Sequence, residues 1–210
     1  MRIGVLALQG DFALHGQALA RAGGASRGRS TGEGRPPVDV ESVEVRKPAD
    51  LADLDGLIIP GGESTTLLRL MAEWDFVPAI EKFHAAGKPI FGTCAGLIVL
   101  ARDVENPRQF SLGLIDLSVE RNAYGRQRES FEARGEARLD GRPTAIEMVF
   151  IRAPRIRRLG ASVETLARHG DDPVLARQGD VLVATFHPEL TDDPAVHRYF
   201  CEIVRRARAR

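Results

Sequence analysis

Pro89-Ile-Phe-Gly-Thr-Cys94-Ala-Gly-Leu-Ile-Val-Leu100 sets a buried strand, a sharp turn and an apolar helix one after another, with Cys94 on the turn. The spacing Gly92-x-Cys94-x-Gly96 is that of a nucleophile elbow, in which the reactive side chain sits on strained backbone and only small neighbours avoid colliding with strand and helix. The helix that follows would aim its free N–H groups and positive dipole end at the sulfur, favouring thiolate over thiol. The Ala95 N–H would face an oxyanion. Read alone, the same cysteine is also compatible with a small buried hydrophobe, a common fate of free thiols.

Outward from the elbow, short apolar runs alternate with amphipathic stretches, and each run ends in glycine or a polar turn. That is how strands feed helices across a parallel sheet. Strands are expected near 3–8, 38–45, 56–59, 89–93 and 181–185, and helices over 12–22, 65–71, 77–86, 95–101 and 194–208. The stretch 112–178 reads instead as β-rich pieces at 117–121, 144–151 and 162–167, an antiparallel extension rather than a second domain. The expectation is a single α/β domain over 1–210: an open, mostly parallel sheet flanked by helices, with a small antiparallel extension. Residues 23–37, rich in Gly, Ser, Arg and Pro, offer almost nothing apolar to bury and are expected to form a flexible loop insertion, with Arg27, Arg29 and Arg35 solvated. The opening run Ile3-Gly-Val-Leu-Ala-Leu8 stops at Gln9-Gly10-Asp11, too short for a signal h-region or a membrane span, and is assigned to the fold.

A second motif, Phe186-His187-Pro188-Glu189, follows the apolar strand at 181–185. Residues two apart on an extended backbone project to the same side, and Pro188 stiffens the link, so Glu189 can be held near the His187 ring. A carboxylate bonded to one ring nitrogen sets the tautomer and leaves the other free to accept a proton. Alone, the tripeptide is equally a strand-ending turn with surface charges. Paired with the elbow, it points to one crevice at the carboxyl ends of neighbouring strands. Third, Leu57-Ile-Ile-Pro60-Gly61-Gly62-Glu63-Ser64-Thr65 is a strand, a glycine turn and a helix start, whose backbone N–H groups can approach a developing negative charge. Ser64 or Thr65 is also read as a helix N-cap.

Composition narrows the partners. With 29 basic against 29 acidic side chains, no global field attracts nucleic acid or a membrane surface, so neither is expected as a partner and any charged ligand must be held locally. The two cysteines, Cys94 and Cys201, lie far apart in unlike settings, which reads as a reducing, cytoplasmic chain. No metal or other cofactor is expected: His15, His84, His169 and His197 show no paired ligand spacing and are read as surface or satisfied histidines, and Cys201 as core.

Gly61-Gly62-Glu63-Ser64-Thr65, Gly92-Thr-Cys94-Ala-Gly96 and His187-Pro-Glu189, in that order, resemble the class I (triad) glutamine amidotransferases. Within that class the chain is similar to the glutaminase subunits of pyridoxal 5′-phosphate synthases, through Gly4-Val-Leu-Ala-Leu-Gln-Gly-Asp11, the stretch 119–131, Phe150-Ile-Arg152-Ala-Pro154 and Phe186-His-Pro-Glu-Leu190. The resemblance implies hydrolysis of L-glutamine to L-glutamate and ammonia through a thioester on Cys94, with His187 moving protons, Glu189 orienting it, and Gly61, Gly62 and Ala95 holding the oxyanion. It further implies a glutamine pocket lined by Gly62, Glu63 and Ser64, with Arg121, Ile151 and Arg152 on the opposite wall. The implied partner is a (β/α)8-barrel synthase subunit that uses the ammonia for vitamin B6 biosynthesis and switches the glutaminase on, with the Gly61-Gly62 turn as the switch and 7–11 receiving the signal. The 23–37 loop is longer than the family pattern needs. Rival readings are the glutaminase of histidine biosynthesis, disfavoured by the 121–131 segment, and a cysteine peptidase or glyoxalase-like enzyme, disfavoured by the His-x-Glu and Gly-Gly-Glu-Ser motifs. Intact Cys94, His187 and Glu189 disfavour a non-catalytic interaction subunit.

Overall fold

Period-two burial shows first in the short central strands: Leu57 and Ile59 pack on one side while Ile58 packs on the other, and Ile90 likewise opposes Phe91. Strands buried on both faces need helices on both, and the computed structural model, which describes residues 1–24, 39–121 and 130–210, places them there. In chain order the elements are β1 (Arg2–Leu6), α1 (Phe12–Ala22), β2 (Glu41–Val45), β3 (Gly56–Ile59), α2 (Ser64–Glu73), α3 (Phe76–Ala85), β4 (Ile90–Thr93), α4 (Ala95–Leu100) and β5 (Ala101–Glu105). There follow β6 (Ile115–Glu120), β7 (Ser130–Leu139), β8 (Arg142–Ile151), β9 (Arg155–Leu159), β10 (Glu164–His169), β11 (Asp172–Gln178), β12 (Val181–Ala184) and α5 (Ala195–Arg208). Short 3-10 turns occupy Pro48–Leu51 and Pro188–Leu190.

Among the described residues the main sheet has nine strands in the order β2-β1-β3-β4-β12-β11-β10-β7-β8. From β2 to β12 every pairing is parallel; from β12 to β8 every pairing is antiparallel. A three-stranded sheet, β5-β6-β9, stands apart. Helices α1 and α5 cover one face with Leu19, Ala22, Phe200 and Val204, and α2, α3 and α4 cover the other with Leu67, Met71, Phe83 and Leu97. In α5 the buried stripe Val196, Phe200, Cys201 and Val204 repeats at helical spacing, and Arg205, Arg206 and Arg208 sit in the last turn, where they complement the helix dipole.

The parallel half and its helices match the sequence expectation to within a few residues, α1 at both ends. The antiparallel extension is larger than expected, because β7 and β11 were not read from the sequence, nor were β5 and β9 in the small sheet. Strand β7 alternates Phe131, Ala133, Gly135, Ala137 and Leu139 with charged residues, so most inward positions are small and the apolar signal is weak. Arginine fills most of β9. The readable signal was the turn: Asp140 and Gly141 have φ of 52° and 74°, the pair of positive values that a tight two-residue hairpin requires. The loop expected at 23–37 lies outside the described residues from position 25 onward, as do Arg27, Arg29 and Arg35.

Candidate active site

Parallel register brings the loops together. Ala184 pairs with Thr93 and Ile59 with Gly92, so the chain leaves β3, β4 and β12 at one level and in one direction. Cys94 leaves first, with φ 49° and ψ −102°, a strained conformation for a residue with a side chain. Its N–H donates to the Ala184 carbonyl at 2.9 Å, which pins the elbow to β12, and its own carbonyl accepts from Ile98 N–H at 3.2 Å as α4 begins. Small neighbours are obligatory: a methyl on Gly96 would be driven into the Ile59 carbonyl, and one on Gly61 into the His187 ring. Gly61 is also in reach of Cys94 Cβ, so the glycine turn, the thiol and the imidazole occupy one small volume.

His187 Nδ1 lies 2.8 Å from Glu189 Oε1, and both residues are buried. Burial alone would depress the imidazole, but the Cys94 sulfur and the Glu189 carboxylate overcome it and raise His187 to about 10. Glu189 shows the converse: burial pushes its carboxyl up, yet the imidazoles of His15 and His187 hold it at about 2. The arrangement therefore favours an imidazolium against a carboxylate, the state a proton-transferring histidine reaches when it takes a proton. The backbone of His187 is anchored by its N–H to the Val149 carbonyl at 2.8 Å, and Cys94 Sγ lies 4.0 Å from the Ile151 carbonyl oxygen. In a flat sheet β8 would stand about 19 Å from β12, four strand spacings away. The antiparallel half therefore curls back, and its edge strand closes one side of the site.

Over this length the likenesses to known proteins are near complete. A model of the SNO glutamine amidotransferase family matches residues 5–206. The chain belongs to that family. It is 47% identical over 208 residues to a pyridoxal 5′-phosphate synthase subunit PdxT of Niallia circulans, covering 99% of this chain and 100% of that one. It is 50% identical over 205 residues to the protein of that name in Koribacter versatilis (strain Ellin345), covering 98% and 96%. A crystal structure of a glutamine amidotransferase superposes with a TM-score of 0.80 at 47% identity, covering 96% of this chain and 98% of that one. A putative GMP synthase subunit of Thermoplasma acidophilum shares the fold, with a TM-score of 0.65 at 18% identity, covering 100% and 96%.

For a member of the SNO glutamine amidotransferase family, the remaining sequence candidates are placed unevenly. Glu63, not Ser64 or Thr65, is the N-cap of α2: its carboxylate accepts from Thr65 N–H at 2.9 Å and Thr66 N–H at 2.7 Å. Modest burial pushes that carboxyl up, but the two amides outweigh it and hold it at about 2. Arg121 does not stand across from Glu63; its guanidinium donates to Glu63 Oε1 and to Thr65 Oγ1, each at 3.2 Å. Ser64 is buried, with its hydroxyl 3.3 Å from Gln109 Oε1. Ile151 ends β8, and Arg152 follows with φ 42° and an exposed side chain. The rest of the 121–131 segment lies outside the described residues up to position 129. Gln9 Nε2 donates to the Glu63 carbonyl at 2.9 Å, and Gly10 packs on the Gly61 carbonyl, so the end of β1 does abut the glycine turn. Cys201 is core, and burial pushes its thiol up to about 12.

His15 and His197 are not surface histidines. Both are wholly buried, and they extend the polar chain behind Glu189. A sequence signal existed: His15 falls on the α1 stripe with Ala18, Leu19 and Ala22, and His197 on the α5 stripe with Phe200, Cys201 and Val204. A histidine on an apolar stripe needs a polar partner from elsewhere in the fold. Among the described residues no group of three or more His, Cys, Asp or Glu side chains is placed to hold a metal ion, and no helix is long and apolar enough to cross a membrane.

Proposed function

We propose that the chain is the glutaminase subunit of a pyridoxal 5′-phosphate synthase, hydrolysing L-glutamine to L-glutamate and ammonia and passing the ammonia to a synthase subunit of (β/α)8-barrel form. Its relatives of near-full coverage carry the name of that subunit. The single observation that carries the chemistry is the 2.8 Å bond from His187 Nδ1 to the buried Glu189, on an imidazole that also interacts with the sulfur of a strained Cys94. We take residues 1–210 as one amidotransferase domain.

In this reading Cys94 acts as a thiolate, its proton held on His187, and attacks the side-chain amide carbon of glutamine. The tetrahedral oxyanion is received by Ala95 N–H at the start of α4 and by an N–H of the Gly61-Gly62 turn. The Gly61 carbonyl faces Gly10, so the trans peptide turns the Gly62 N–H away from Gly10. Imidazolium His187 protonates the amide nitrogen as the carbon–nitrogen bond breaks. Ammonia leaves and a thioester remains on Cys94. His187, neutral again, takes a proton from water, whose oxygen attacks the thioester carbon; the carbon–sulfur bond breaks, glutamate departs, and the Cys94 thiolate and His187 imidazolium are restored. Gly62, Ser64, Arg121, Ile151 and Arg152 bound the glutamine pocket. Glu63 joins them through its backbone and its pairing with Arg121, because its carboxylate is already committed to α2. The contact of Gln9 and Gly10 with the glycine turn supports the route by which a docked synthase would set the oxyanion donors.

The test is glutamate and ammonia release from glutamine by the chain alone and with the synthase. Strong release that depends on Cys94 and rises with the synthase supports the reading. Release that is unchanged by the synthase sinks the coupling, and none under either condition sinks the glutaminase.

A further inference from the structure

Glu189 uses one carboxylate oxygen on His187; the other, Oε2, takes no regular hydrogen bond and faces His15 Nε2 at 3.4 Å. That same nitrogen is 3.3 Å from Thr93 Oγ1, on the residue before Cys94. On the far side of the ring, His15 Nδ1 lies 3.0 Å from His197 Nε2, and His197 Nδ1 has no partner among the described residues. Phe91 closes the group, its ring centroid 6.4 Å from that of His15 and 5.9 Å from that of His197. A chain of side chains from β4, α1, α5 and the turn after β12 thus runs from the candidate nucleophile into the core.

Hydrogen-bond accounting favours one proton order. Ionised Glu189 can only accept, so His15 must present Nε2–H toward it, shared with the Thr93 oxygen. Neutral His15 then has a lone pair on Nδ1, which needs a donor, and among the described residues His197 Nε2–H faces it. His197 Nδ1 is left as a bare lone pair, cheaper to bury unpaired than an N–H. The reversed order would set a lone pair against a carboxylate and strand an N–H in the core. Burial, then the neighbouring His187 charge, depresses His15 against the opposing pull of Glu189 and Asp11. Burial and His15 hold His197 at about 3, so both rings are neutral near pH 7.

We infer that His15 is a positioning residue for the glutaminase: its Nε2–H holds Glu189 Oε2 so that Oε1 stays aimed at His187, and His197 sets its tautomer. This rests on the triad reading above. Only the Nε2 end of His15 faces Glu189, which makes two near-isosteric replacements unequal. Glutamine carries an amide N–H about where Nε2 sits; asparagine reaches only as far as Nδ1.

The experiment compares His15→Gln and His15→Asn in the full chain assayed with its synthase, alongside wild type and Cys94→Ala. His15→Asn is expected to lower kcat about tenfold with KM changed less than about twofold, and His15→Gln to recover kcat to within about threefold of wild type. Equal kcat for the two variants, or a loss carried by KM, overturns the proposal. Wild type that releases no ammonia, or Cys94→Ala that matches wild type, defeats the triad reading instead. Should either variant fail to fold, imidazole nitrogen-15 spectra of the wild-type chain at pH 7 decide: neutral His15 protonated on Nε2 is expected, and a proton on Nδ1 or on both nitrogens overturns the assignment.

Discussion

The parallel and antiparallel halves of the main sheet share the same backbone chemistry but stand differently to the site. In the parallel half, β1, β3, β4 and β12 all end at one edge, so Gln9-Gly10, Gly61-Gly62, Cys94 and His187 are delivered to one place by topology alone. In the antiparallel half alternate strands end at opposite edges, and none of the triad candidates comes from it. Against the triad candidates it sets two backbone carbonyls, Val149 against His187 N–H and Ile151 beside the Cys94 sulfur, brought in by the curl of the sheet. Parallel strands gather the candidate reactive side chains; the antiparallel arm closes a wall with main chain.

The largest expected effect tests the parallel half at its centre. Cys94→Ala should lower glutamine turnover by on the order of 10³-fold or more while leaving the melting temperature near wild type, since alanine is small enough for the elbow. A glutamine-like electrophile should label Cys94 and spare Cys201, whose buried thiol is held neutral. Near-native turnover of the mutant, or preferential labelling of Cys201 seen by mass spectrometry, would break the contrast.

A smaller step separates the members of the triad. His187→Asn should cost on the order of 10³-fold in kcat and Glu189→Gln about tenfold less, because in the proposed mechanism the imidazole moves the proton and the carboxylate orients it. Equal losses in steady-state kinetics would mean that the roles are not divided in this way.

Next comes the edge of the site. Glu63→Ala removes the α2 cap and should cost about 1 kcal/mol at pH 7. The Glu63 carboxyl is held at about 2 against an ordinary 4.5, so the folded state binds its proton more weakly than the unfolded. The capping contribution is full above about 4.5 and lost as pH falls toward about 2. Melting temperatures of mutant and wild type should therefore converge between pH 5 and pH 2. A gap that stays constant over that range would show that the charge is not what caps the helix.

The smallest effect is expected in the antiparallel arm. Arg134 on β7 pairs with Glu147 on β8 at 2.9 Å, with most of its side chain in solvent. Arg134→Ala should change stability by less than about 1 kcal/mol and leave kcat unaltered. A clear fall in kcat would sharpen the comparison by showing that the arm transmits more than main-chain contacts.

Local chemistry was legible in the chain. The strand, turn and helix around Cys94, the His-Pro-Glu tripeptide and the glycine turn are each set by neighbouring residues, through glycine sterics, a proline link and period-two burial, and so are the parallel strands that carry them. Ser64 and Thr65 misled because either can cap a helix by local rules, and only the fold showed the Glu63 carboxylate taking that place with Arg121 against it. Strands β7 and β9 escaped because their small or arginine-rich faces become strands through pairing rather than through their own hydrophobic pattern.

What the sequence by itself determined is the set of candidate reactive groups and the strand ends that carry them. What only the tertiary structure decided is which distant groups hold those in place: His15 and His197, 182 residues apart, meet at 3.0 Å behind Glu189, and β8 returns to the site across four strand pairings. The reason is physical. Backbone geometry and side-chain sterics act over a few neighbouring residues. A buried polar group, by contrast, must find its partner wherever packing brings one, and no local pattern names that partner in advance.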